Sequence, residues 1–186
     1  LVGREGMVGI PLALGVDESA VRALVQGGGP ALRMSKACFV DALRCSPPLQ
    51  RELYAYIHGL IGQISQTAAC NRFHAMEPRL ARWLLMTRDR LGSENFRMTH
   101  LFLSSMLGVR REGVSQAAAG LQRRRLIEYR RGKIKILDHP GLEAAACTCY
   151  GASAARSGIP RWRPPRSRAP GALGKNKSNS GGSRGN

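Results

Sequence analysis

The sequence predicts an α+β protein with short strands at its start, a long helix in its middle, and a helix-turn-helix followed by a β-hairpin. Short extended patterns flank the glycine-rich turn at residues 26–30. Apolar residues then recur at steps of three and four from Leu49 to Thr67, which is the spacing of one helix face. Two shorter helical patterns and a basic segment that alternates from Tyr129 to Leu137 complete the prediction.

The charge balance predicts a polyanionic partner. The 186 residues include 29 Lys and Arg against 12 Asp and Glu, a formal net charge of +17, which favours nucleic acid or an anionic membrane surface. Residues 110–135 carry nine of the cations, and residues 151–186 carry eight without any acid. No stretch approaches the roughly 18–20 apolar residues of a membrane span, and no secretory signal pattern is present. We therefore expect a cytoplasmic protein without a membrane partner.

Five scattered cysteines predict free thiols in a reducing compartment. Cys147 and Cys149 are too close for an ordinary structural disulfide, and the spacing shows no second pair that would complete a zinc site. We predict an inert pair at a helix end, and neither a metal nor a cofactor. Because the chain starts at Leu1 and not at methionine, we also expect that an amino-terminal segment is missing.

The first half of the chain predicts strands, then helices. Residues 1–35 are expected to form strands and turns, and Ser35 is a predicted N-cap for a helix that runs to Leu43. Pro47 and Pro48 suit the first turn of the long helix. Its apolar face predicts packing against the same helix of a second copy, with an ordinary core helix as the alternative. The predicted dimerisation residues are Leu49, Leu53, Tyr56, Leu60, Ile64 and Thr67.

The next helical pattern, "MEPRLARWLLMTRDRL", predicts an amphipathic helix with Pro78 in its first turn. Its predicted inner face carries Leu80, Trp83, Leu84 and Leu91. Its predicted outer face carries Arg79, Arg82, Arg88 and Arg90. The segment "GSENFRM" that follows is expected to be a loop or a short strand.

A helix-turn-helix is predicted between Thr99 and Arg124. Thr99 can cap a helix to about Met106, and Gly108 can end it in a left-handed turn. The second helix starts near Arg110 and buries a narrow face made of Val114, Ala118 and Leu121. Its first turns then present side chains matched to base edges, as a recognition helix does in the major groove. These predicted base-reading residues are Arg111, Glu112, Ser115 and Gln116.

The basic segment after the second helix predicts a hairpin wing. Gly132 supplies the turn, Ile134 and Ile136 are expected inside, and Lys133 and Lys135 are expected outside. A wing beside a recognition helix can contact phosphates. The predicted phosphate-binding residues are Thr99, Arg110, Arg123, Arg131 and Lys133.

These segments resemble the Crp-Fnr superfamily of bacterial transcription regulators. "THLFLSSMLGVRREGVSQAAAGLQRRRLI" is similar to its helix-turn-helix signature, "YRRGKIKIL" to its wing and "NRFHAMEPRLARWLL" to its hinge. The resemblance implies a partial β-roll (jelly-roll-like) effector domain at 1–46, a dimerisation helix and hinge at 47–74, and a winged helix-turn-helix domain at 75–150. Residues 151–186 are then expected to be a disordered basic tail. RNA polymerase is a further partner that the resemblance implies.

The family pattern also bears on single residues. Arg111 and Glu112 match the adjacent arginine and glutamate with which the family contacts bases. Gln116 stands where an arginine is common, and Gly113 stands where a threonine is common. The cyclic-nucleotide cassette of the family is not matched, because Ile10 and Pro11 follow Gly9 and Glu18 precedes Ser19. We therefore do not expect cAMP to bind.

The sequence as a whole predicts a homodimeric, sequence-specific regulator that binds double-stranded DNA at a palindromic operator. The alternative is a non-specific nucleic-acid binder, for example of RNA, that acts through the basic tail, where Trp162 could stack on bases. An enzyme is not predicted, because the histidines are isolated from nucleophiles and metal-ligand spacings. They are His58, His74, His100 and His139.

Overall fold

A computed structural model describes residues 1–151 of the chain. Its elements are a short 3₁₀ helix (Ile10–Leu14), α1 (Lys36–Cys45), α2 (Pro47–Phe73), α3 (Met76–Leu91), β1 (Asn95–Arg97), α4 (His100–Leu107), α5 (Arg111–Arg123), β2 (Ile127–Arg130), β3 (Lys133–Ile136) and α6 (His139–Ala145). This mixture of helices and one small antiparallel sheet confirms the α+β class with a helix-turn-helix. The predicted tail, apart from Gly151, lies outside the described residues.

The prediction of strands in residues 1–35 is wrong. Residues 1–46 contain a 3₁₀ helix, α1 and irregular segments, and no strand, so they do not form a partial β-roll in this structure. A strand needs a neighbouring strand for its backbone hydrogen bonds, and no other segment of residues 1–151 pairs with this one. Its apolar side chains are consequently exposed, for example Val25 at 84% and Leu32 at 104%.

The helices begin and end at the predicted capping residues. Ser35 caps α1 by accepting a hydrogen bond from the Cys38 amide at 3.3 Å, and Pro47 opens α2. Thr99 caps α4 by accepting from the Phe102 amide at 3.1 Å. Gly108 ends α4 with φ of 64°, a left-handed conformation that glycine adopts without the steric cost of a Cβ atom.

The long helix α2 turns most of its predicted dimer face towards its own chain. Leu53 is buried together with Ala13 and Ile57, while Leu49, Leu60 and Thr67 are half-buried. The Tyr56 hydroxyl donates to the Met7 carbonyl at 3.4 Å. Of the six predicted residues only Ile64 is exposed, so the sequence pattern marked chiefly an intrachain face. The exposed apolar side chains of this helix are Tyr54, Ile61, Ile64 and Phe73.

The prediction that the arginines of α3 form an exposed outer face is also wrong. Arg79, Arg82 and Arg88, which were predicted on an outer face, are between 2% and 9% exposed. Leu91, which was predicted inside, is 38% exposed. An arginine can bury its aliphatic part while the guanidinium reaches polar acceptors, and α3 is covered by other parts of the chain on several sides. Spacing alone therefore assigned these residues to the wrong environment.

The main core joins α3, α4, α5, α6 and the sheet. Its fully buried members include Leu80, Leu85, Val114, Leu121 and Leu142. The sheet has the order β1–β3–β2 with antiparallel pairing throughout. Ile134 and Ile136 of β3 point into this core and Lys133 and Lys135 point outwards, which confirms the predicted alternation of the wing. The core therefore holds the wing and α5 in one unit.

Candidate nucleic-acid interface

The first turns of α5 separate an apolar anchor from exposed polar side chains. Val114 is 0% exposed and packs in the main core, as the sequence predicted. Arg111, Glu112 and Gln116 are exposed on the other side of the helix. The turn between α4 and α5 is closed by a hydrogen bond from the Val109 amide to the Ser104 carbonyl at 3.1 Å. This arrangement leaves the three polar side chains available to a partner.

Ser115 has a different environment from its neighbours on α5. It is half-buried, its hydroxyl lies 2.9 Å from Nδ1 of His100, and the hydroxyl also donates to the Arg111 carbonyl at 3.1 Å. The His100 ring packs on the Tyr129 ring with centroids 4.4 Å apart. Ser115 thereby links α5 to the start of α4 and to the wing, and its role as a base-reading residue stays a prediction.

His100 lies between α5 and the wing. It is half-buried, and its Nε2 atom is buried without a hydrogen-bond partner among the described residues. Burial, and secondarily the Arg111 guanidinium, lowers the pKa of His100 below its usual value of 6.5. Burial also raises the pKa of the adjacent Tyr129 phenol. The ring is therefore a neutral spacer between the two helices and the wing.

Three further hydrogen bonds attach the wing to Met98 and to α5. The Tyr129 hydroxyl donates to the Met98 carbonyl at 2.8 Å, and the Met98 amide donates to the Gly132 carbonyl at 2.7 Å. The Tyr129 amide donates to Oε1 of Gln122 on α5 at 2.7 Å. At the tip, Arg131 and Gly132 have φ of 50° and 74°, the pair of positive values that a tight two-residue hairpin turn requires.

The predicted phosphate-binding residues are all exposed. Arg110, Arg123, Arg131 and Lys133 form no ion pair with a carboxylate of residues 1–151. Thr99 lies beside the wing, because its Cγ2 atom is 3.7 Å from where a Cβ atom would stand on Gly132. The structure thus brings the start of α4, the first turn of α5 and the wing tip together.

Sequence reasoning missed two arginines of this surface. Arg97 on β1 and Arg130 on β2 both stand directly opposite Lys133 in the sheet register, so three exposed cations form one row across the strands. Like charges opposite each other destabilise a sheet unless an anion lies between them. The next row differs, because Lys135 stands between Asn95 and Glu128. Only the strand pairing reveals which lysine has cationic neighbours.

Cys147 and Cys149 are not the isolated pair that the sequence predicted. Cys147 and Cys149 lie beside Cys70 and His74 at the end of α2, and one ligand atom from each of the four residues lies within 4.8 Å of the others. The partner pair was missed because more than seventy residues separate it from Cys147 along the chain. Chain folding, and no local spacing, assembles this group.

The described part of the chain offers no segment for a membrane span, since none of its helices combines the necessary length with sufficient apolar character. A family model for the Crp-like helix-turn-helix domain matches residues 78–145, which contain α4, α5 and the wing. No curated protein matches the chain.

The chain is similar to several solved structures, three of which are described here. One is a transcriptional regulator of the CRP family from Thermus thermophilus, with 22% identity, a TM-score of 0.47, and coverage of 55% of this chain and 56% of that one. A regulator of the crp/fnr family from Eubacterium rectale has 22% identity, a TM-score of 0.44 and coverage of 59% and 51%. The Catabolite Activator Protein of Thermus thermophilus has 21% identity, a TM-score of 0.36 and coverage of 60% and 52%.

The aligned part of the chain spans about half the length of each of these three proteins. The sequence match to the helix-turn-helix domain agrees with the resemblance that the residues themselves carried. Residues 78–145 of the chain therefore carry a Crp-like helix-turn-helix domain.

Proposed function

We propose that the protein regulates transcription as a homodimer that binds a palindromic DNA operator in a sequence-specific manner. The observation that supports this most directly is the exposed triplet of Arg111, Glu112 and Gln116 on the first turns of α5. These turns are held next to the wing by the Ser115–His100 hydrogen bond, by the packing of the His100 ring on the Tyr129 ring and by the Tyr129–Met98 hydrogen bond. A recognition helix inserted amino end first would place the triplet in the major groove.

The triplet has the chemistry for direct readout of bases. Arginine can donate to both O6 and N7 of guanine, a carboxylate can accept from N4 of cytosine, and a glutamine amide can pair with adenine. Arg111, Glu112 and Gln116 supply these three groups within six residues of one helix. We therefore propose that they set the sequence of the half-site, and that Ser115 orients the helix through His100.

Phosphate contacts would supply most of the strength of binding. Arg110 and Arg123 flank the two ends of α5, and the row of Arg97, Lys133 and Arg130 crosses the wing sheet. A DNA strand beside this row would neutralise three cations that have no carboxylate partner among residues 1–151. Such neutralisation releases counterions and makes binding strongly dependent on salt.

The dimer would form along the solvent face of α2. Tyr54, Ile61 and Ile64 are between 50% and 59% exposed, and their spacings of seven and three residues place them along one side of the helix. A second copy of this helix, related by a two-fold axis, would cover them. The two α5 helices would then reach half-sites about 34 Å apart, which requires a palindromic operator. RNA polymerase is a further proposed partner, on the ground of the family resemblance alone.

Selection of bound sequences from a random duplex pool at physiological salt tests this function. We expect an enriched motif with two-fold symmetry whose half-sites are one helical turn apart. The same selection with residues 152–186 deleted should enrich the same motif, because the proposed readout lies within residues 97–133. A deletion that abolishes binding, with no enriched motif in the full chain, would instead favour the tail-driven RNA or non-specific binder.

A further inference from the structure

A second group of side chains that could bind a ligand consists of Cys70, His74, Cys147 and Cys149, here called the Cys3His cluster. The Cys70 and Cys147 sulfur atoms are 3.5 Å apart, and the Cys149 sulfur is 3.5 Å from Nδ1 of His74. All four ligand atoms lie within 4.8 Å of one another. The three cysteines are buried and form a small core of their own.

These separations suit one tetrahedral ion. Bonds of about 2.3 Å to sulfur and about 2.0 Å to nitrogen place neighbouring ligand atoms of a tetrahedral zinc ion about 3.5–3.8 Å apart. The Cys70–Cys147 sulfur separation and the separation between the Cys149 sulfur and Nδ1 of His74 are both 3.5 Å, at the lower end of that range. The other ligand separations are at most 4.8 Å. An iron–sulfur cluster needs its ligands farther apart, because they surround several iron and sulfide atoms and not a single ion.

The surroundings of the Cys3His cluster also resemble those of a ligand set. Gln66, one turn before Cys70 on α2, donates from its side-chain amide to the Cys149 sulfur at 3.0 Å. A hydrogen bond to sulfur is the kind of contact that stabilises a metal-bound thiolate from outside the ligand shell. The backbone is also positioned, since the His74 amide donates to the Cys70 carbonyl at 3.1 Å.

An ion bound by the Cys3His cluster would have a structural role because of where the cluster lies. Cys70 and His74 end α2, whereas Cys147 and Cys149 follow α6, the last helix of the winged domain. The Cys147 amide donates to the Pro78 carbonyl in the first turn of α3 at 3.4 Å. An ion here would fasten the carboxyl end of the long helix to the DNA-binding domain.

We propose that the Cys3His cluster binds one Zn²⁺ ion per chain and that this ion fixes the junction between α2 and the winged domain. Cys70, Cys147 and Cys149 bind as thiolates and His74 through Nδ1, and the thiol protons are released to solvent as the ion binds. The site is independent of the proposed DNA readout, because none of its residues lies on α4, α5 or the wing.

Metal content and cobalt substitution of the full chain test this site. Protein purified without a histidine tag or chelator should contain about one zinc per chain by elemental analysis. After removal of the zinc under reducing conditions, added Co²⁺ should produce sulfur-to-cobalt charge-transfer absorption and the intense visible bands of a tetrahedral ion. Zinc should then displace the cobalt and raise the Tm by several degrees.

Single substitutions assign the ligands. Cys149→Ser and His74→Gln should each remove or strongly weaken the cobalt spectrum, and chelation should no longer lower their Tm. Cys38→Ser and Cys45→Ser are matched controls, because both of these cysteines are exposed on α1 and outside the Cys3His cluster. They should leave zinc content, cobalt spectrum and Tm unchanged.

Three results would overturn the proposal. The first is wild-type protein that takes up neither zinc nor cobalt while its circular dichroism shows a folded chain. The second is a Cys70–Cys147 disulfide in freshly purified protein, found by thiol counting and mass spectrometry. The third is bound iron and sulfide in place of zinc, detected by broad visible absorption. Because wild-type protein is the primary sample, a variant that fails to fold does not affect the outcome.

Discussion

Arg79 on α3 donates a hydrogen bond of 2.6 Å from Nη2 to the backbone carbonyl of Leu107, the last residue of α4. The same nitrogen donates to Oδ1 of Asn71 on α2 at 2.8 Å. The last carbonyls of a helix have no partner within the helix, so this buried arginine satisfies the end of α4 where the chain turns into α5. One side chain thereby connects α2, α3 and the turn of the helix-turn-helix.

Replacing this guanidinium should destabilise the winged domain. Arg79→Met keeps much of the aliphatic length but leaves the Leu107 carbonyl unpaired, and we expect a loss of about 1.5–3 kcal/mol in the free energy of unfolding. The measurement is the midpoint of urea denaturation followed by circular dichroism. Arg123→Met is the control, because that arginine is exposed at the end of α5 and should change stability by less than about 0.5 kcal/mol. Equal losses in the two variants would contradict the assignment.

The two glycines of α5 should respond differently to an added methyl group. A Cβ atom on Gly113 would meet no atom within 4 Å, so Gly113→Ala should stabilise the helix by roughly 0.5–1 kcal/mol. A Cβ atom on Gly120 would collide with the Glu77 carboxylate, which is paired with Arg124 at 3.0 Å. Gly120→Ala should displace this carboxylate from Arg124 and therefore gain less stability than Gly113→Ala. Denaturation curves of the two variants check both outcomes, and an equal gain in both would contradict the placement of Glu77 against Gly120.

The stability of the winged domain should fall as the solution becomes acidic. The folded pKa of His100 lies below the usual 6.5, so the unfolded chain binds more protons in that interval. The stabilising effect of the neutral ring is complete above pH 6.5 and is lost as the pH falls towards the lowered folded pKa. His139 has a pKa lowered by burial as well, so His100→Asn should reduce the pH dependence without abolishing it. An unchanged slope of stability against pH in His100→Asn would contradict the prediction.

Substitutions should distinguish a residue that reads bases from a residue that contacts phosphates. Arg111→Ala should lose discrimination at one base pair of each half-site by roughly 1–3 kcal/mol. Lys133→Ala should weaken binding to all sequences alike and reduce the slope of log affinity against log salt by about one. Lys135→Ala is the matched control, because Glu128 and not arginine stands opposite Lys135, and we expect a smaller change. Titrations of operator and scrambled duplexes at several salt concentrations provide the measurement.

The dimer should depend on the solvent face of α2. Ile61→Asp should weaken self-association at least about tenfold, or ~1.4 kcal/mol, because it places a charge in the proposed helix contact. Val21→Asp is the control, since Val21 is 78% exposed but lies outside α2. Sedimentation equilibrium of the two variants and the parent protein distinguishes them. A parent protein that is monomeric at every concentration would remove the basis of the palindromic operator.

The sequence by itself determined the features that depend on neighbouring residues. Ser35, Thr99 and Gly108 marked helix ends because capping is a local hydrogen bond or a local backbone angle. Val114 and Ile134 were correctly placed in the core because the periods of helices and strands repeat over a few residues. The helix-turn-helix and its wing follow from these local rules, and so does their order along the chain.

Only the tertiary structure decided the features that depend on distant segments. Arg79 is buried because acceptors from α2 and α4 meet it, and residues 1–35 lack strands because no segment of residues 1–151 pairs with them. Lys133 differs from Lys135 through its cross-strand neighbours, and Cys70 reaches Cys147 through the packing of helix ends. Burial, charge pairing and ligand geometry are properties of three-dimensional neighbours, which the spacing of residues along a chain does not contain.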